Sequence, residues 1–191
     1  MCIGIQVNKD KIGNLIVLLA TRLKPLYHTK LIKLLYLIDE EAVKEDGVPV
    51  TWLEYKVWQF GPVAPEAYFI QREDNPFNHY ISCSKKGNGT IVKPNAVFDD
   101  SDFCDYDLEV IERVIERYGK MTTRELVDLT HKKGSLWHTM VEEHNLDFSS
   151  SNNTSEYSLD FTRIIADDKK KLSNFKGALE TMMFRAQMEK C

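Results

Sequence analysis

A wide apolar stripe between Thr29 and Gly47 is the feature that most constrains how this chain can fold. Its side chains recur at the spacing of one helical face, at Leu31, Leu34, Leu35, Ile38 and Ala42. A second row, Ile32, Tyr36 and Val43, makes the stripe wider than that of a surface helix. We therefore predict a central helix packed against several neighbours, capped by Thr29 and ended by Gly47 in the left-handed conformation.

The period changes to the alternation of a β-strand after Pro49. One face of this strand carries Leu53, Tyr55 and Val57, and the other carries Trp52, Glu54, Lys56 and Trp58. A turn follows at Gly61-Pro62, since glycine is permissive and proline fixes its own φ and lacks a backbone donor. Pro65 suits the first turn of the next helix. Taken alone, this unit is explained by core packing and chain punctuation.

Three strings of residues nevertheless form a recognisable pattern. They are Leu31-Ile32-Lys33-Leu34-Leu35-Tyr36, then Phe60-Gly61-Pro62-Val63-Ala64-Pro65-Glu66-Ala67-Tyr68, and finally Glu125-Leu126 with Thr130-His131 and Trp137. Together they resemble the Panacea domain, the SocA-like antitoxin family also described as phage-associated, whose strings are LQKLLY-like, YGPVVPELY-like and EL…TH…W. The resemblance covers residues 13 to 143. This chain departs from it at Ile32 and Phe60, where Gln and Tyr are usual.

Charge and cysteine usage narrow the function classes. The formal net charge is -4 and the sequence pI is about 5.8, which argues against a nucleic-acid-binding surface. The cysteines, at 2, 83, 104 and 191, show no CxxC spacing, so we predict neither a disulfide framework nor a zinc site. No apolar run reaches the roughly 20 residues that span a bilayer, and residues 1–13 lack a signal-peptide layout. We therefore expect a cytoplasmic protein with no membrane partner.

The other segments predict further helices and one hairpin. A helix over residues 9–24 is closed by Pro25, and apolar runs around Gly87-Asn88-Gly89 predict a β-hairpin. We expect this hairpin to join the strand near Leu53 in one small sheet. The acidic residues 99–109 do not fit a calcium loop. They indicate instead a helix start capped by Asp105 or Asp107, and Gly119 would end that helix.

Residues 122–143 suggest an alternative function, DNA binding. Thr122 and Glu125 form a capping-box pattern, and Gly134-Ser135 separates the resulting helix from a second one. Such a helix-turn-helix is typical of DNA-binding regulators, here of the protein's own operon. The second helix contains no arginine, although arginine and lysine dominate phosphate and guanine contacts. The plainer interpretation is a helical corner in which Trp137 fills the core.

The predicted fold class is α+β and mainly helical, with a central apolar helix, several packed helices and a small antiparallel β-sheet. Residues 1–148 would form the Panacea (SocA-like) domain, and residues 149–158 a polar loop. Residues 159–191 would form a C-terminal helical extension, packed on the domain or on a partner.

No pattern of catalytic residues is present. The histidines form no HExxH motif or i, i+4 pair, and GxSxG, GxxxxGK[ST] and GxGxxG strings are absent. A thiol nucleophile, Cys83 or Cys104 with His131, is the remaining enzymatic hypothesis, and nothing points to it. His131 is better explained as a core or capping residue beside Trp137. We therefore predict a non-enzymatic protein with no catalytic residues, metal or cofactor.

The function follows from the resemblance alone. Panacea-like domains are antitoxins that bind and neutralise a toxin usually encoded next to them, and the member that gives the family its name delivers its toxin to a protease. The resemblance thus implies a cognate toxin as partner, with a protease as a second partner if this chain is an adaptor. The candidate partner-binding residues, chosen as an apolar and aromatic patch, are Trp52, Trp58, Phe60, Gly61, Pro62, Tyr68 and Phe69.

Overall fold

The fold is α+β and mainly helical, as predicted, in a computed structural model that describes residues 7–148 and 153–188. The helices are α1 Lys9–Arg22, α2 His28–Asp46, α3 Pro65–Tyr68, α4 Asp105–Tyr118, α5 Thr123–His131, α6 Leu136–Glu143 and α7 Lys169–Met188. The strands are β1 Leu26–Tyr27, β2 Lys56–Trp58, β3 Gly61–Val63, β4 Ile81–Lys86 and β5 Gly89–Pro94. Two 3₁₀ segments, Phe69–Gln71 and Phe161–Ile165, complete the elements.

Helix α2 is the central element, as its stripe predicts. It packs against α4, α5, α7, β3 and the 3₁₀ segment Phe161–Ile165, and both apolar rows are buried. Gly47 ends the helix with a φ of 90°, which confirms the predicted left-handed cap. The prediction of Thr29 as the start was wrong, because the helix begins at His28 and Tyr27 occupies the cap position without a side-chain capping bond.

The β-strands form two separate sheets, which corrects the expectation of one. In the first, β5 pairs antiparallel with β4 and with β1, where Leu26 opposes Val92. The second consists of β2 and β3. The hairpin cannot join β2 because both edges of β2 are occupied, one by β3 and one by residues 153–159. On that second edge, Val57 N donates to Tyr157 O and Leu159 N donates to Tyr55 O.

The start of α4 also differs from expectation. Its cap residue is Cys104, whereas Asp105 and Asp107 lie inside the helix. The Asp107 carboxylate accepts from the Cys104 backbone amide at 3.1 Å, so it completes a capping box from within the first turn. The capping box of Thr122 and Glu125 at α5 is confirmed.

Helix α7 contacts the C-terminal end of α2. The Lys171 amine donates to Lys44 O at 2.7 Å, and the Asn174 amide donates to Asp46 O at 2.9 Å. Phe175 is buried against Trp52, with ring centroids 5.2 Å apart. The first half of α7 therefore covers the domain's own surface.

Part of the sequence predictions falls outside the described residues. Cys2, Cys191 and residues 149–152 belong to this part, whereas Cys83 and Cys104 carry free thiols. Among the helices within the described ranges, none combines the length and apolar character that a bilayer crossing requires.

Candidate partner-binding surface

The three strings that carry the family resemblance meet at one point in the fold. Lys33 comes from α2, Gly61 and Pro62 come from β3, and His131 comes from the end of α5. The Lys33 amine donates to Pro62 O at 2.8 Å. The chain segments between these strings are long, so only the packing of α2, β3 and α5 brings the side chains together.

Gly61 is where these side chains come closest to the backbone. Its φ is 98°, a region that L residues rarely adopt. A Cβ on this residue would lie 2.8 Å from Thr130 Oγ1, 2.9 Å from Lys33 Nζ and 3.2 Å from His131 Nε2. A hydroxyl, an amine and an imidazole therefore surround a position that only glycine fills without displacement.

The two titratable groups beside Gly61 are held towards their neutral forms. Lys33 is only 1% exposed, and burial lowers the pKa of its amine to about 7. Burial, reinforced by the charge of Lys33, lowers the pKa of His131 to about 4. Within the described residues, His131 Nε2 is buried and has no hydrogen-bond partner.

Trp137 links this cluster to β2. Its ring stacks on His131 with centroids 3.9 Å apart, and its Nε1 donates to Trp58 O at 2.9 Å. Trp137 is buried, which confirms its predicted core position. Helices α5 and α6 therefore support the turn between β2 and β3 from inside the protein.

An aromatic surface lies on the outer side of this turn. The rings of Trp58 and Tyr68 meet edge to face at 4.9 Å, and Tyr68 meets Phe69 in the same way at 5.2 Å. Phe60, at the turn itself, is 59% exposed. The Arg72 guanidinium lies 3.8 Å from the Phe69 ring centroid. We call Trp58, Phe60, Tyr68 and Phe69 the aromatic surface.

A hollow of about 350 Å³ adjoins the aromatic surface. Its apolar wall includes Ile32, Val63 and the rings of Trp58, Phe60 and Tyr68. The uncharged polar lining consists of Thr29, Gln71, Asn88, Thr90, Asn153 and Thr154. The buried Lys33 also lines the hollow, and no carboxylate of the described chain does. The His28 ring at its wall lies 3.0 Å from Ala67 O, and burial lowers the pKa of His28.

The predicted site residues separate into three groups. Trp58, Phe60, Tyr68 and Phe69 lie together, whereas Gly61 and Pro62 are buried beneath the turn. Trp52 lies apart: its φ is 58°, it precedes β2, and its ring packs against Phe175 of α7. Sequence reasoning assigned no role to Lys33, although a lysine within a helix buried on several sides was a usable signal.

A larger hollow, of about 670 Å³, lies between α2 and the α5–α6 corner. Its lining includes the exposed Lys132 and Lys133 beside Gly134. Helix α6 turns Leu136, Trp137 and Met140 inward and leaves Glu142 and Glu143 exposed. The outer face of the second helix is therefore acidic, which is unfavourable for contact with phosphates.

The two candidate thiols, Cys83 and Cys104, lie in different elements from His131, which is at the end of α5. Cys83 belongs to β4, where its sulfur lies 3.6 Å from Ile70 O and burial raises its pKa. Cys104 is the exposed cap of α4. Within the described ranges, His, Cys, Asp and Glu form no group of three that could hold a metal ion.

Comparison with known proteins gives one family and one relative. The family model described as antitoxin SocA-like, Panacea domain, matches residues 31–138. The antitoxin SocA of Caulobacter vibrioides (strain NA1000 / CB15N) is 30% identical over 138 residues, which cover 69% of each chain. No solved structure matches this chain.

Proposed function

This chain belongs to the antitoxin SocA-like Panacea domain family, and from that membership we propose that it neutralises a cognate toxin by binding it directly. The binding takes place in the cytoplasm and involves no catalysis. The aromatic surface makes the contact, so the toxin is inhibited because part of its own surface is covered.

The exposed Phe60 ring is the observation that carries this proposal. A phenylalanine that is 59% exposed stands beside the Trp58–Tyr68 ring pair and a hollow of about 350 Å³. Aromatic anchors beside pockets supply most of the binding energy in protein interfaces. The same turn belongs to the family-defining strings, which supports a role in the activity that the family shares.

The lining of the hollow indicates which part of a toxin would bind. Its walls are apolar and aromatic, and no carboxylate of the described residues contributes. Its polar groups are amides and hydroxyls together with the buried His28 and Lys33. An uncharged apolar side chain of the toxin fits such a hollow without leaving a buried charge unpaired. The amides and hydroxyls at the rim would then bond the toxin's backbone.

The arrangement of polar groups supports binding over chemistry. The Lys33 amine is directed to a backbone carbonyl, and the His131 ring stacks on Trp137 beneath the turn. The Lys33 side chain and His131 Nε2 are buried, whereas the Phe60 ring is 59% exposed. The two buried groups are therefore suited to supporting a surface and poorly suited to attacking a bound molecule.

Co-expression with the neighbouring reading frame tests the proposal. The protein encoded next to this chain's gene should arrest growth alone, and this chain should restore growth and co-purify with it. Phe60→Ser should weaken the complex by about 2 kcal/mol, roughly thirtyfold in affinity. Val97→Ser is the matched control, because Val97 is 90% exposed and lies outside the aromatic surface, and it should bind normally. Rescue by the Phe60 variant at full affinity would disprove the role of the surface.

Two further measurements separate related mechanisms. If the chain delivers its toxin to a protease, the toxin's half-life should fall when the chain is expressed, whereas simple occlusion should leave it unchanged. DNA binding through residues 122–143 predicts a salt-sensitive mobility shift with the chain's own promoter that Lys132→Glu with Lys133→Glu abolishes. A shift of this kind without toxin binding would replace the proposed function.

A further inference from the structure

The turn that presents Phe60 is held at both ends by buried side-chain donors. On the β2 side, Trp137 Nε1 donates to Trp58 O at 2.9 Å. On the β3 side, Lys33 Nζ donates to Pro62 O at 2.8 Å. The donors come from α6 and α2, two helices that are themselves part of the core. The direction of the Phe60 side chain is therefore coupled to the protein interior through two hydrogen bonds.

Burying an amine at position 33 costs free energy that an apolar side chain at the same position would not cost. Lysine is almost never fully buried unless it forms an ion pair. Lys33 is 1% exposed, and no carboxylate in the described part of the chain forms an ion pair with its amine. The groups that face it are Thr130 and His131 from α5, with Asp128 and His138 acting on His131 from α5 and α6. The facing part of β3, Gly61 to Val63, contributes no titratable side chain. A position that served only packing would be more stable with leucine or methionine.

A polar atom next to the amine has no hydrogen-bond partner among the described residues. His131 Nε2 is buried without a partner among the described residues, and its ring is fixed by Trp137 at 3.9 Å. Residues that reduce stability without an apparent structural need are typical of functional sites. Among the described residues, the hydrogen bond of this amine is made to the carbonyl of Pro62, which lies two residues after the exposed Phe60.

We propose that Lys33 is a positioning residue for partner recognition: its amine holds the Pro62 carbonyl and thereby keeps Phe60 and Trp58 in the orientation that the partner binds. This inference rests on the proposed function, because it assigns a role within the same aromatic surface. Lys33 lines the hollow but is only 1% exposed, and its amine is directed to Pro62 O, so we assign it no recognition contact of its own. It acts through the backbone, by raising the fraction of molecules whose turn is ready to bind.

Lys33→Met removes the amine and keeps a side chain of similar length. The turn then samples other conformations, and the apparent affinity falls in proportion to the binding-competent fraction. We expect the association rate for the neighbour-encoded toxin to fall about tenfold, with the dissociation rate unchanged. Phe60→Ala, which removes a contact, should instead raise the dissociation rate.

Lys30→Met is the matched control on the same helix. Lys30 also donates to backbone carbonyls, Gly119 O at 2.6 Å and Met121 O at 2.8 Å, but these lie at the end of α4. Its loss should lower stability and leave both binding rates unchanged. Lys33→Leu provides a second apolar variant in case Lys33→Met does not fold.

Hydrogen–deuterium exchange supplies a readout that needs no partner. In Lys33→Met, the backbone amides of Gln59, Phe60, Gly61 and Val63 should exchange at least tenfold faster, while those of α1 and α4 keep their wild-type rates. If exchange in the turn is unchanged, or if the association rate stays at its wild-type value, the inference is wrong. If the wild-type chain binds no neighbour-encoded toxin, the proposed function fails, and the exchange result still decides whether Lys33 holds the turn.

Discussion

The carboxylate of Asp39 accepts a hydrogen bond of 2.7 Å from the phenol of Tyr55. The same carboxylate accepts from the backbone amide of Thr51 at 2.7 Å and from the Thr51 hydroxyl. Burial raises the pKa of Asp39 to about 6, although these bonds oppose the rise. Asp39 thus ties α2 to the segment that leads into β2, and so to the strand that carries Trp58.

Replacing Asp39 should therefore destabilise the whole domain. Asp39→Ala leaves two hydroxyls and a backbone amide buried without their acceptor, so we expect a loss of about 3–5 kcal/mol in the free energy of unfolding. Urea denaturation at pH 8 measures it. Asp128→Ala removes an exposed carboxylate from α5 and should change stability by no more than about 0.5 kcal/mol. Equal effects of the two substitutions would contradict this role of the Asp39 cluster.

The buried Lys33 amine predicts a specific dependence of stability on pH. Its pKa is lowered from 10.5 to about 7 by burial, so between these values the unfolded chain binds more protons than the folded one. Wild-type stability should consequently fall as the pH decreases from about 10 to 7 and become independent of this group below 7. The full change is at most about 5 kcal/mol.

Lys33→Met should lack that dependence. As the pH decreases from about 10 to 7, the free energy of unfolding of the variant should therefore rise relative to that of wild type. Denaturation at pH 6, 7, 8 and 9 tests this. The pKa of His131 should also rise in the variant, since one cause of its lowering is the charge of Lys33. Parallel stability curves for the two proteins would show that the amine is charged to the same extent in the folded and unfolded states.

Gly61 and Gly87 allow backbone strain to be separated from steric conflict. Both have positive φ angles, 98° and 57°, but a Cβ on Gly87 would meet nothing within 4 Å. Gly87→Ala should cost about 1–2 kcal/mol from backbone strain alone. Gly61→Ala should cost clearly more, because its Cβ would approach Thr130, Lys33 and His131 within 3.2 Å. Thermal unfolding of both variants measures the two losses of stability. Similar losses would mean that Thr130, Lys33 and His131 move aside for the new Cβ at no cost in free energy.

Helix α7 offers a pair of phenylalanines for testing how the C-terminal extension stabilises the domain. Phe175 is buried against Trp52, whereas Phe184 is 63% exposed. Phe175→Ala should lower the free energy of unfolding by about 3–5 kcal/mol. Phe184→Ala should leave it within about 0.5 kcal/mol. A larger loss for Phe184 would indicate that the end of α7 is buried in solution by a second molecule.

The sequence predicted local features of the fold, but it did not predict which distant segments contact one another. The stripe of α2 and the Thr122–Glu125 box were predicted because each depends on residues within one or two helical turns. The pairing of β2 with residues 153–159 was missed, since that segment has a polar composition without strand periodicity. The candidate site was predicted in part: the sequence grouped Trp52 with Trp58, whereas Trp52 packs on Phe175 of α7 and Trp58 packs on Tyr68.

The sequence by itself determined the helices, the β-hairpin and the family, because periodicity, capping and short motifs are encoded by residues close together along the chain. Only the tertiary structure decided that Lys33 holds the carbonyl of Pro62, 29 residues later, and that His131 closes over Gly61. It also decided that Phe60 stays exposed while Gly61 and Pro62 are buried. The physical reason is that these contacts depend on how α2, β3 and α5 pack together, and no periodicity within one segment specifies that packing.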